Sequence, residues 1–178
     1  MVLDLGGIAK GYASEKATEV LRKNGISRAV INAGGNIYVL GEKGLFTPWK
    51  LGIQDPRSSS NIVGILHVKD SAAVTSGDYQ RFFEKGGRRY HHILNPVTGF
   101  PADGLTSVTV VAASSTEADI LSTALFVMGL EKGMALLEDN PHVQAVFVTE
   151  SKKIILSQGL KDNVEIFTEG DYAYDSNG

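Results

Sequence analysis

The sequence has no cysteine, which excludes disulfides, thiolate metal ligands and a cysteine nucleophile together. That absence fits many compartments and singles out none. Charge of either sign is not in strong excess: 17 basic side chains stand against 20 acidic ones, a net −3, with an isoelectric point near 5.8. Basic residues are scattered apart from the pair Arg88-Arg89, so the footprint of a phosphate-backbone binder is missing and no nucleic-acid partner is expected. No window of about 20 apolar residues occurs and no charged-then-apolar leader opens the chain, so neither a membrane span nor a signal peptide is expected in it. Internal repeats and long linkers are missing too, which leaves a single domain over residues 1–178.

What is present is ordinary in bulk and unusual in detail. A chain of 178 residues with 43% hydrophobic and 21% charged side chains is long enough and apolar enough for one sizeable globular core. Glycine, at 20 residues, exceeds the usual ~7%, and it is clustered, which points to backbone approaching a ligand. The most telling run is Thr116 to Gly129, TEADILSTALFVMG. It sets Asp119 and Thr123 four residues apart on one face of an otherwise apolar helix. Two hard oxygen donors beside a dry core suit a Mg²⁺ ion. The competing reading makes Thr116 an N-cap that Asp119 answers as a short-armed capping box.

Along the chain, an apolar stub and Gly6-Gly7 precede a helix predicted over Ile8 to Asn24, with an apolar face of Ile8, Tyr12, Ala13, Ala17, Val20 and Leu21 and a stop at Gly25. Arg28 to Asn32 reads as a buried strand, Ala33 to Asn36 as a tight turn, and Asn36 to Gly41 as the returning strand of a hairpin. Strands are expected at Lys50–Gln54 and Ile62–Val68, separated by a polar loop through Asp55, Pro56, Arg57 and three serines. Val74 to Tyr79 reads as a polar turn leaving a strand, Arg88–Leu94 as a strand, and Asn95 to Pro101 as a turn. Ser107–Ala113 is a β-branched strand feeding the Thr116 helix; a short helix at Glu131–Asp139 and strands at Val143–Thr149 and Lys153–Ser157 follow. Strands outnumber helices and arrive in hairpin-like runs, so the fold class is α+β with a largely antiparallel sheet and packed helices.

Four polar clusters interrupt these elements. Asp4-Leu5-Gly6-Gly7-Ile8-Ala9-Lys10-Gly11 exposes glycine backbone ahead of a helix N-terminus, as a phosphate cradle does, although it is neither a Walker A loop nor a GxGxxG fingerprint. Asn32-Ala33-Gly34-Gly35-Asn36 is a second glycine turn, equally readable as a plain hairpin connection. Thr75-Ser76-Gly77-Asp78-Tyr79 gathers hydroxyls and a carboxylate, and such turns also occur without ligands. His91 and His92 are strand neighbours and face opposite ways, so only one can reach a pocket, where it would act as a general base or bind phosphate.

The order of these clusters carries a resemblance. DLGGIAKGYA, INAGGNIYV, WKLGIQDP, VTSGDYQRFF, RYHHILNPVTGFP and ADILSTALFVMG together resemble the flavin transferase family commonly called ApbE, the FAD:protein FMN transferases, over about Leu3 to Glu150. The resemblance implies a T-fold-like α+β domain, Mg²⁺ as cofactor and FAD as substrate. It also implies cleavage of the FAD pyrophosphate, with FMN attached through a phosphoester to a threonine of an acceptor protein. Some relatives instead hydrolyse FAD to FMN and AMP.

Carried onto this sequence, the resemblance makes Asp119, Thr123 and a backbone carbonyl of Gly7 the metal ligands. It places Asp4, Lys10, Gly34, Gly35, Asn36, Ser76, Gly77, Asp78, Tyr79, His92 and Ile93 around the flavin nucleotide. His92 aligns with the histidine of the H-I-[IL]-[DN]-P motif and takes the role of base or proton relay, with Asp119 counted among the catalytic residues and His91 as structural. Asn95 stands where many relatives carry aspartate, so no charge is expected to act there. Family enzymes are considerably longer, exported or membrane-anchored, and this chain begins at what is normally their middle, so the half that completes the FAD pocket is expected to be missing. Missing strands leave an open edge that invites dimerisation. The alternatives to a transferase are a FAD pyrophosphatase with water as acceptor and a catalytically silent flavin-binding fragment.

Overall fold

The computed structural model describes residues 4–167 and 172–175; the opening apolar stub at residues 1–3 lies outside the described residues. Helix α1 (Ala9–Lys23) matches the expected helix within a residue at each end. Gly25 stops it with a φ of +76°, where its N–H and that of Ile26 reach back to the carbonyls of Arg22 and Leu21, the paired bonds of a Schellman ending. The strands are β1 (Ala29–Ala33), β2 (Asn36–Leu40), β3 (Trp49–Asp55), β4 (Ser58–Val68), β5 (Ser71–Gly77), β6 (Phe82–Lys85), β7 (Arg88–His91) and β8 (Leu105–Ala112). Helices α2 (Ser115–Met128) and α3 (Leu130–Glu138) follow, then β9 (Gln144–Thr149), β10 (Lys153–Leu156), β11 (Val164–Ile166) and β12 (Ala173–Asp175).

Seven strands form one sheet in the order β1-β2-β5-β8-β9-β10-β12, antiparallel throughout except for the β10–β12 pair. Alternation along the strands sorts side chains to two buried faces. Tyr38, Leu40, Val74, Val108, Val110, Ala145 and Phe147 meet the helices, while Val39, Ala73, Val146 and Val148 meet the second sheet, β11-β4-β3, through Ile53, Val63 and Leu66. Cover on both faces is why the central strands read as continuous apolar runs rather than alternating ones. Mixed α+β architecture with a mostly antiparallel sheet is the fold class expected. Among the described residues no helix is long and apolar enough to cross a membrane.

Several local expectations are corrected. The apolar face assigned to α1 is only partly its packed face: Leu21 packs against the core and Ile8 is half-buried, but Tyr12 and Val20 are 54% and 57% exposed, Ala13 and Ala17 are exposed as well, and the buried residues are Gly11, Ser14 and Thr18. Close approach to α2 decides this, because a side chain at Gly11 would begin 2.6 Å from Cβ of Asp119 and closer still to the Ser115 carbonyl. Only small residues fit that seam, and hydropathy does not record size. The β1 strand is half-exposed rather than buried, because it ends the sheet. The polar loop after Asp55 shrinks to a hairpin turn, Asp55 pairing with Ser58 and the serines entering β4; likewise Thr75, Ser76 and Gly77 lie within β5. β6, β11 and β12 were not expected. β6 is called up by Gly86-Gly87, whose φ values of +61° and +75° turn Phe82–Lys85 back onto Arg88–His91.

Candidate functional site

Helix α2 does not begin as the capping-box reading of Thr116 and Asp119 requires. Ser114 is the N-cap and its hydroxyl oxygen accepts from the Glu117 N–H at 3.2 Å, an S-x-x-E pattern shifted two residues upstream. Glu15 of α1 secures the same end, its carboxylate accepting from Ser114 Oγ at 2.7 Å and from the Thr116 N–H at 3.0 Å. Hydrogen bonds from Thr116, with that from Ser114, hold the Glu15 carboxyl below the ordinary glutamate range despite opposing burial. A depressed folded pKa means that this contribution is complete above about pH 4.5 and is lost as pH falls through the folded value. Glu15→Gln is therefore expected to lower stability at pH 7 and to narrow its gap from the parent at pH 3 in urea unfolding. A gap independent of pH rejects the assignment.

Asp119, released from capping, is 4% exposed, and its Oδ2 accepts the Gly11 N–H at 2.8 Å. It thus caps α1 from the neighbouring helix, where the helix dipole favours a carboxylate; no side chain caps α1 from its own loop. The other carboxylate oxygen accepts no hydrogen bond among the described residues. In the glycine loop, Asp4 Oδ1 accepts the Gly6 N–H at 2.7 Å, and the Ile8 and Ala9 N–H groups both reach the Leu5 carbonyl. That turn brings Gly7 beside Thr123: a side chain at Gly7 would begin 3.8 Å from Thr123 Oγ1. The second glycine turn joins them, since the Lys10 stem lies 3.9 Å from where a Gly34 side chain would start. Gly34 and Gly35 both have positive φ, +61° and +97°, the conformation of a two-residue hairpin turn. Asn36, next along, is 1% exposed and its Nδ2 has no partner among the described residues, which leaves a donor on the helix-facing side of β2.

Two groups of expected site residues therefore separate. Gly7, Lys10, Gly34, Ser76, Asp119 and Thr123 converge, with Ser76 Oγ 3.0 Å from Thr123 Oγ1. Asp78 does not join them: Arg57 grips it with both guanidinium nitrogens at 2.7 and 2.8 Å. The pair lines a charged cavity of about 450 Å³ with Arg89, His91, Asp103 and Glu150. Gly77 is needed for packing, because the Tyr79 ring lies where its side chain would be. Burial first, then the Asp78 charge, pushes the Tyr79 hydroxyl up to about 12, so it stays neutral. Ile93 sits in the core at 5% exposure and its N–H and carbonyl are both bonded within the chain.

The histidines split as strand alternation requires. His91 is buried; its Nε2–H donates to the Ala102 carbonyl at 2.8 Å, its Nδ1 accepts the Ile93 N–H, and its ring meets Phe126 edge-on. His92 is exposed, with Nδ1 bonded to the Arg81 carbonyl at 3.3 Å and Nε2 without a bond among the described residues. Partial burial, with the charges of Arg81 and Lys10 in reach, lowers its pKa from the usual histidine value. At neutral pH it presents a free lone pair, as a base must.

Sequence reasoning missed Gly11, Glu15, Arg57 and Ser122. Ser122 carried a readable signal, a hydroxyl three residues after Asp119 inside an apolar run. Arg57 carried none, since its partner is 21 residues away. Among the described residues no three His, Cys, Asp or Glu side chains are grouped so that they could hold a metal ion. A cation at the Asp119 corner would draw on a carboxylate, a hydroxyl and backbone carbonyls, a hard-oxygen set that fits Mg²⁺ better than a softer ion.

Fold and site define an α+β protein with a hard-oxygen corner between a glycine loop and a helix carboxylate. The family model described as the ApbE family matches residues 1–147. The chain is 43% identical over 176 residues to the FAD:protein FMN transferase of Treponema pallidum, covering 93% of this chain and 49% of that protein. It is likewise 43% identical over 159 residues to one from Klebsiella pneumoniae, covering 88% and 48%. The crystal structure of the ApbE protein from Thermotoga maritima superposes with a TM-score of 0.83 at 41% identity, over 90% of this chain and 53% of that one. The chain belongs to the ApbE family. It spans about half the length of the curated relatives it matches.

Proposed function

We propose that this chain carries the metal-binding and proton-accepting part of an FAD:protein FMN transferase site. The observation that carries the reading is the convergence of Gly7, Asp119 and Thr123, beside Lys10, at the start of α1. In this reading Asp119 Oδ1, Thr123 Oγ1 and the Gly7 carbonyl hold Mg²⁺, which when bound supplies charge neutralisation for a pyrophosphate and its leaving phosphate. Lys10, at the N-terminal turn of α1 where the helix dipole favours anions, holds phosphate oxygens. Asn36 Nδ2 awaits an acceptor on the nucleotide, and Asp4 keeps the glycine loop in shape. His92 Nε2 takes the proton from an acceptor threonine whose oxygen bonds to the FMN phosphorus as the bond to AMP breaks. The acceptor protein and FAD are then the partners, and the sequence supplied by the other half of longer relatives closes the pocket. Exposure of His92 admits water as a competing acceptor, giving FMN and AMP. The open β1 edge supports self-association through that strand.

Paired histidine variants, in a protein extended to the length of its relatives, test the reading. His92→Ala is expected to cut FMN transfer from FAD, read by mass spectrometry of the acceptor, by roughly 10²-fold or more with little change in melting temperature. His91→Ala should do the opposite, losing about 1–3 kcal/mol of stability for two stranded buried partners while the folded fraction keeps its rate. Equal kinetic losses in both would reject the base assignment.

A further inference from the structure

Three hydroxyls stand in series where β5 meets α2. Ser76 Oγ lies 3.0 Å from Thr123 Oγ1 and 2.9 Å from Ser122 Oγ, and Ser122 Oγ–H donates to the backbone carbonyl of Asp119 at 3.0 Å. A hydroxyl has one proton and two lone pairs, so that last bond fixes the direction of the others. Ser122 has no second proton to give, hence Ser76 donates to Ser122. Ser76 then has none left, hence Thr123 donates to Ser76. The relay runs from Thr123 through Ser76 and Ser122 to the Asp119 carbonyl, and the only proton on Thr123 is turned inward.

We propose that Ser76 and Ser122 are positioning residues that hold Thr123 as a lone-pair donor and so reserve this corner for a cation. The proposal rests on the reading of Asp119, Thr123 and Gly7 as Mg²⁺ ligands. Packing alone does not call for these hydroxyls: Ser122 is fully buried on a helix whose other buried residues include the apolar Ala118, Leu125 and Phe126 beside Ser115 and Asp119, and burying a hydroxyl where a methyl would fit is unfavourable unless it is bonded. The relay bonds all three and ends on the backbone of the very residue that supplies the carboxylate. Both oxygen donors are thereby tied to one hydrogen-bonded unit, in the manner of the outer partners that orient metal ligands elsewhere.

The test is a Mn²⁺ titration of the 178-residue chain followed by the electron paramagnetic resonance of the free ion, with thermal melts alongside. Ser76→Ala and Ser122→Ala are each expected to weaken Mn²⁺ binding by roughly 10- to 100-fold, the range for lost outer-shell partners, and Ser76→Thr, which keeps the hydroxyl, to restore it. A merely structural role would lower the melting temperature of the alanine variants and leave Mn²⁺ affinity at the parent value, which overturns the proposal. Should Ser76→Ala not fold, Ser122→Ala breaks the relay at its other link and decides alone. Parent-like binding in Asp119→Asn, or no binding by the parent chain, would instead sink the metal reading on which the relay depends.

Discussion

Gly11→Ala is expected to destabilise the protein by about 1–3 kcal/mol or more, the range for overpacking a tight core. In an exposed helix interior the same change gains up to ~1 kcal/mol, so the sign itself is diagnostic. The new methyl would meet Asp119 Cβ at 2.6 Å and the Ser115 carbonyl more closely, and neither is the far end of a flexible side chain. Relief requires α1 to slide from α2, which lengthens the Gly11–Asp119 hydrogen bond and separates Gly7 from Thr123. Loss of stability should therefore come with weaker divalent-ion binding. Denaturant unfolding of Gly11→Ala measures the first and Mn²⁺ titration the second. A variant that unfolds at or above the parent midpoint would show that the α1–α2 seam is looser than described.

Asp119→Asn should remove detectable Mg²⁺ or Mn²⁺ binding while leaving the fold in place. Asparagine keeps an oxygen to accept the Gly11 N–H, so the cap on α1 survives the loss of charge. Asp119→Ala removes both, stranding a buried N–H at a further ~1–3 kcal/mol. Comparing the two by calorimetric titration and thermal melts separates the carboxylate's chemistry from its structural bond. Parent-like ion affinity in Asp119→Asn would dismiss the metal site and leave Asp119 as a cap alone.

Much of this protein was legible along the chain because the signals were local. The hairpin at Gly34-Gly35, the helix stop at Gly25, the β-branched run of β8 and the opposite facing of His91 and His92 follow from backbone stereochemistry and strand period, which neighbours in sequence determine. Family membership was legible for a similar reason: short motifs retain their order whatever packs around them. The i, i+4 spacing of Asp119 and Thr123 likewise needed only the helical period.

Tertiary structure decided what depends on distance and size. Hydropathy marked Ile8, Tyr12, Ala13, Ala17, Val20 and Leu21 as the inner face of α1; Leu21 does pack on the core, yet the buried residues at the seam with α2 are Gly11, Ser14 and Thr18, because helix approach is set by the volume of both partners. No spacing rule joins Glu15 to Ser114, 99 residues on, or Gly11 to Asp119, 108 residues on; those bonds exist because α1 and α2 lie side by side. Asp78, expected from the resemblance around the flavin nucleotide, is held by Arg57 from a turn of another sheet. Ser76, expected at the nucleotide, gives its hydroxyl to α2. Residue types and their order told which chemistry the chain can hold, through local rules of helix, strand and turn. Which oxygens remain free for a ligand depended on long-range hydrogen bonds that form only once the helices and the sheet are packed.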